Sequence, residues 1–215
     1  MAALGGRRRA LAPDMPGHGH AAARPASFPA CTGYVRALGG DGRYALAGYS
    51  MGGRIALHAA FALADRLDRL VLIGASPGIA DPAERAARRA ADDALADRIE
   101  AIGVEAFARE WAALPLWEGQ PDRVRAAASA DRLRNTPAGL AAALRGLGTG
   151  VMDPLWDALP ALEVPVTLAV GERDETFLEI ARRMAERLPR VEIEVVRGAG
   201  HAAQLEQPAA VAALL

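Results

Sequence analysis

The sequence predicts an α/β fold: a doubly wound, mostly parallel sheet interrupted by an inserted all-helical segment. Three observations carry this expectation. Short, mostly apolar runs bounded by turn residues recur along the chain, as strands buried on both faces require. Segments of helical periodicity separate them, and strand alternating with helix defines βαβ units. From about Asp81 to Pro160 the alternation stops and only helical signals remain.

Taken in order, the strand-like runs are RRALAPD at residues 8–14, RYALAG at 43–48, RLVLIGA at 69–75, VPVTLAVG at 164–171 and VEIEVVRG at 191–198. Helices are expected between them over about residues 28–38, 52–63 and 175–188, and from Pro208 onward. The insertion has helix starts at DPAE, with Asp81 as cap and Pro82 in the first turn, and at GVEAF, QPDRV and TPAGL. It is neither a repeat nor a low-complexity tract, because Leu, Ile, Phe and Trp return at helical intervals. The expected division is a core of residues 1–80 and 161–215 with a helical cap over 81–160.

At 215 residues and 52% hydrophobic content the chain can bury a substantial core. Its 25 basic and 26 acidic residues leave a net charge of -1, so no global field draws in nucleic acid or an anionic membrane, and any anion recognition is local. Every basic residue is Arg, which beside so much Ala reads as codon usage. Cys31 is the only cysteine, which rules out an intrachain disulfide and makes a reducing cytoplasm the expected compartment. The basic start has no apolar run of signal-peptide length after it. No apolar run approaches the roughly 18 residues of a membrane span.

The chemistry concentrates in LAGYSMGGRIAL. GYSMG fits G-x-S-x-G and sits directly between a strand and a helix, where a nucleophile elbow holds its serine in strained backbone angles between small residues. Such a Ser50 needs a base and an orienting acid at later strand ends. VTLAVGERDETF offers Asp174, with Glu172 and Glu175 as rival acids of lower rank, and EVVRGAGHAAQLEQP offers His201. The order Ser, Asp, His is that of the α/β-hydrolase fold. In DMPGHGH, His18 is either a site-rim residue or turn packing. His18 and His20 have no third ligand nearby in sequence, so no metal site is expected.

Arg54 lies four residues after Ser50, on the same helix face. Its plain alternative is a salt bridge to Asp65 or Asp68. In ERAARRAADD, the i,i+4 pairs Glu84 with Arg88 and Arg88 with Asp92 allow a solvated, self-paired face. Should any of these arginines face a pocket, the bidentate fork of Arg implies a carboxylate substrate.

With GYSMGGRIAL, the segment from LIGASPGIADPAERAARR through AFAREWAALPLW, LWDALPALEVPVTLAVGERDETF and GAGHAAQLEQP, the chain resembles the 2-succinyl-6-hydroxy-2,4-cyclohexadiene-1-carboxylate synthases of menaquinone biosynthesis. The likeness runs from about Asp14 to the C-terminus and includes the cap, the least shared part of α/β-hydrolase folds. It implies a lyase that eliminates pyruvate from 2-succinyl-5-enolpyruvyl-6-hydroxy-3-cyclohexene-1-carboxylate, without metal or organic cofactor. Ser50, Asp174 and His201 would be the triad. Tyr49, Arg54, Arg88 and Trp111 would line the site of this small-molecule tricarboxylate. A carboxylesterase or carbon–carbon bond hydrolase using an acyl-enzyme is the alternative. Family members carry a strand and an HG loop upstream of RRALAPD that give one oxyanion-hole N–H, the other coming from Met51. This chain is therefore expected to lack its N-terminal strands as an incomplete gene product, with an inactive α/β-hydrolase-like protein as a second alternative.

Overall fold

The computed structural model describes residues 10–215. In chain order the helices and strands are α1 (Phe28–Gly39), β1 (Tyr44–Tyr49), α2 (Met51–Ala62), β2 (Leu67–Ile73), α3 (Pro82–Ala112), α4 (Asp122–Arg132), α5 (Pro137–Leu147), β3 (Val166–Gly171), α6 (Glu175–Ala185), β4 (Val191–Val196), α7 (Ala203–Glu206) and α8 (Pro208–Ala213). They fall into two compact units. One holds Thr32–Pro77 and Leu155–Leu215, the other Pro13–Cys31 and Gly78–Pro154. The helical unit thus begins and ends a few residues earlier than the expected 81–160 and takes in a segment ahead of β1.

The first unit contains a four-stranded sheet in the order β1-β2-β3-β4, parallel at every pairing. This is the α/β-hydrolase fold class the sequence predicts. The inner strands are the most apolar: all six residues of β3 are buried, and so are the last four of β2. Leu70, Leu72 and Leu168 are almost fully enclosed, and each such side chain stabilises the fold by about 1.5–3 kcal/mol relative to exposure. The outer strands alternate, because an edge position buries only part of its surface. Val71, Ile73, Ala169, Val196, Ala199, Ala203 and Val211 form one continuous core cluster.

Residues 10–14 run without regular structure, against the strand expected over residues 8–14, whose first two residues lie outside the described part. Pro13 has no N–H to give a ladder. A strand also needs a paired neighbour, and among the described residues β1 is paired only with β2.

In the helical unit, Asp81 caps α3 by accepting from the amide of Glu84, and Thr136 caps α5 by accepting from that of Gly139, each with Pro opening the helix. The expected start at GVEAF is present: α3 is two helices joined across a kink at Gly103, which sits at φ 80, ψ 169, and the second helix begins just after it. Asp14 ties the DMPGHGH loop together by accepting from the His20 amide at 2.9 Å and pairing with Arg134 at 3.1 Å. The His20 amide, with Arg134 beside it, holds the Asp14 carboxyl below its ordinary range. Cys31 is fully buried, and burial pushes its thiol up to about 11. No helix among the described residues is long and apolar enough to cross a membrane.

Candidate active site

Ser50 joins β1 to α2, and it is the one non-glycine residue with positive φ among the described residues (φ 48, ψ -111). Its amide is bonded to the Ile73 carbonyl at 2.9 Å, which fixes the elbow to the end of β2. Close packing supplies the rest of the strain. A Cβ on Gly48 would collide with the backbone of Gly52 and Gly53, and one on Gly53 with Ala75, whereas Gly52 has open space. The crowded glycines are therefore the first of the motif and the one just after it.

Asp174 follows β3 and is the N-cap of α6, its Oδ1 accepting from the Phe177 amide at 3.3 Å. Its other oxygen, Oδ2, is 2.7 Å from Nδ1 of His201, which follows β4 on the RGAGH loop. Nε2 of His201 is 3.3 Å from Ser50 Oγ. Three strand ends thus bring three side chains into one line. Asp174 and His201 are 7% and 4% exposed, so their hydrogen bond is shielded from competing water. An Asp carboxylate on Nδ1 fixes the tautomer that leaves Nε2 free to take a proton from the serine, and it stabilises the imidazolium that forms. The rival acids lie elsewhere: Glu172 accepts from the Gly198 amide at 2.8 Å, and Glu175 is exposed in the first turn of α6.

Packing fixes the imidazole plane. The rings of Phe177 and Tyr49 lie 4.5 and 5.3 Å from that of His201, tilted by 41° and 51°. Gly74, at φ 52, passes so close that a Cβ there would stand 3.1 Å from the ring. Phe177 and Gly74 are residues the sequence did not single out. Both are set by contacts with His201, more than 20 positions away in each case.

Met51 is the first residue of α2, so its N–H belongs to the turn that has no helical acceptor. Arg54 is half-buried one turn on, its amide bonded to the Ser50 carbonyl at 3.0 Å. Asp68, one of the partners considered for it, pairs with Arg43 at 2.7 Å. In the helical unit, Arg88 meets Asp92 through Nε at 2.8 Å, one of the two i,i+4 pairs the sequence offers. Trp111 is half-buried with its ring 5.5 Å from that of Phe107. His18 makes a local contact of 3.3 Å between Nδ1 and the Pro16 carbonyl. No group of three or more His, Cys, Asp or Glu side chains suited to a metal occurs among the described residues.

A family model described as alpha/beta hydrolase family matches residues 1–214. A Salmonella typhimurium (strain LT2) protein named 2-succinyl-6-hydroxy-2,4-cyclohexadiene-1-carboxylate synthase is 34% identical over 202 residues, which cover 92% of this chain and 78% of that protein. A Bacillus subtilis (strain 168) relative carries the same name provisionally and is 41% identical over 166 residues, or 76% of this chain; the match spans 61% of the relative's own length. Among solved structures, MenH from S. aureus aligns with a TM-score of 0.87 at 34% identity, covering 94% of this chain and 79% of that one. A thermophilic esterase from Thermogutta terrifontis aligns with a TM-score of 0.76 at 29% identity, covering 94% and 76%.

Proposed function

The chain belongs to the alpha/beta hydrolase family and, within it, to the 2-succinyl-6-hydroxy-2,4-cyclohexadiene-1-carboxylate synthases, and on that premise we propose that it is a carbon–oxygen lyase of menaquinone biosynthesis. It eliminates pyruvate from 2-succinyl-5-enolpyruvyl-6-hydroxy-3-cyclohexene-1-carboxylate. The observation that carries this reading is the Ser50, His201, Asp174 line of hydrogen bonds, in a chain 34% identical to a synthase across nearly its whole length.

The chemistry follows from the geometry. His201 accepts the Ser50 proton, and the serine oxygen removes a proton from the substrate ring. The C2–H electron pair, held in passing as an enolate on the succinyl carbonyl, forms the C2=C3 double bond, the C3=C4 pair moves to C4=C5, the C5–O bond breaks, and the departing enolate takes the proton held on His201 and leaves as the enol form of pyruvate. The Met51 N–H donates to the developing oxyanion; one such donor is worth about 10² to 10³ in rate. Arg54, and by match to the family pattern Arg88 of the helical unit, hold substrate carboxylates, while Tyr49 and Trp111 contribute ring surface. No step in this scheme calls on a cofactor. A single buried thiol and the small-molecule chemistry fit the reducing cytoplasm.

The test is pyruvate release by the purified protein, followed through a coupled dehydrogenase. Ser50→Ala is expected to lower kcat by about 10² to 10⁴, as loss of a positioned proton-transfer group does. Arg54→Ala is expected to lower kcat/KM by about 10 to 100-fold, as loss of a charge-assisted pair does. The esterase neighbour supports a second reading, in which Ser50 forms an acyl-enzyme. That reading predicts a burst of product from an activated ester and indifference to Arg54→Ala. An inactive protein toward the cyclohexene substrate with intact ester turnover would overturn the lyase reading.

A further inference from the structure

Asp174 and His201 are carried on two loops, and the buried carboxylate of Glu206 sits where both can be held. Glu206 is 4% exposed, at the end of α7. Its Oε2 accepts from the Gly200 amide at 2.9 Å, the residue next to His201. The same oxygen meets Nη2 of Arg173 at 2.7 Å, the residue next to Asp174. Arg173 in turn donates its amide to the Ala199 carbonyl at 2.9 Å. One carboxylate oxygen therefore joins the neighbour of the acid to the neighbour of the base.

We propose that Glu206 is a positioning residue which, through Arg173 and the Gly200 amide, fixes His201 against Asp174. Two features favour this over general stabilisation. A buried carboxylate is retained only where partners compensate its desolvation, and the Gly200 amide and Arg173, which its Oε2 meets, flank the triad. The 2.7 Å Asp174 to His201 bond spans the two loops, so a separation of a few tenths of an ångström would weaken it, since side-chain hydrogen bonds fall off steeply with distance and angle.

The proposal rests on the triad being the working machinery, and its test separates the two ideas. Glu206→Ala removes both contacts, whereas Glu206→Gln keeps an oxygen that accepts from Gly200. In Glu206→Ala, kcat for pyruvate release is expected to fall by about tenfold or more with KM nearly unchanged, the scale of a mispositioned catalytic group, and Glu206→Gln is expected to recover most of it. The downfield proton resonance of His201 Nδ1–H, read by NMR in the resting protein, is expected to broaden or move upfield in Glu206→Ala and to return in Glu206→Gln. This resonance reports on the positioning even where no pyruvate is released, so failure of the lyase reading would not mask it. Should Glu206→Ala not fold, Arg173→Met, at a side chain 42% exposed, carries the same expectation in milder form. An unmoved resonance in the folded variants, with kcat either unchanged or reduced only alongside thermal stability, would overturn the proposal.

Discussion

Ser50 is held at φ 48, a backbone state that costs a non-glycine residue on the order of 1–3 kcal/mol and persists only where its surroundings enforce it. The enforcing contacts are the close approach of Gly48 to the α2 backbone and of Gly53 to Ala75. Gly53→Ala is therefore expected to destabilise the protein by about 1–3 kcal/mol, the usual cost of overpacking. Gly52→Ala, which adds a methyl group in open space within a helix, is expected to be neutral or to stabilise by about 0.5–1 kcal/mol. Paired thermal melts check this, since each kcal/mol moves Tm by about 2–4 °C at this size; equal melting of the two variants would refute it. The pattern GYSMG was enough to place the elbow in the sequence, but it could not rank the glycines. The obstacle at Gly53 is the methyl group of Ala75, two residues past the end of β2 and 22 positions away in sequence.

At the level of elements, caps and strand ends were legible and long-range pairings were not. Asp81 caps α3 as the sequence predicts, and the expected helix start at TPAGL has Thr136 as its cap, because a cap is made within three residues of its own position. Asp174 and His201 could be found because each follows an apolar run ended by turn residues. Phe177, Gly74 and the Arg173 to Glu206 pair could not, since their meaning lies in what they touch across the sheet. GVEAF marks a helix start, as its pattern predicts, at the break in α3 where one helix ends and the next begins. Gly103 supplies it with φ 80 and ψ 169, a region open almost only to glycine. Gly103→Ala is expected to cost about 1–3 kcal/mol for that reason, although a Cβ there meets nothing closer than 3.7 Å. A melt of Gly103→Ala indistinguishable from wild type would show that the break relaxes into continuous helix at no cost.

At the scale of the molecule, the carboxyls held below their ordinary range, Asp14, Glu100 and Glu110, all belong to the helical unit. The sheet unit is held by the near-continuous burial of β2 and β3. The helical unit is laced by ion pairs, among them Arg134 with Asp14, Arg98 with Glu110, and Arg145 with Asp97 and Glu100. Asp14 is held below its ordinary range first by the His20 amide and then by Arg134, Glu100 by its bond to Arg145, and Glu110 by its bond to Arg98. A carboxyl lowered in the folded state contributes stability that is complete above its unfolded pKa and is lost as pH falls through the folded value. With ordinary values of 4.5 for Glu and 3.8 for Asp, the loss begins near pH 4.5 and deepens below pH 4. Each exposed pair contributes little alone, but these three act on one unit in the same direction. Hydrogen exchange by mass spectrometry from pH 6 to pH 3, corrected for intrinsic rates, is expected to show peptides of α3 and α5 losing protection at higher pH than those of β2 and β3. Protection lost by both sets at the same pH would mean that the units melt as one cooperative body, with these carboxylates stabilising the sheet as much as the helices.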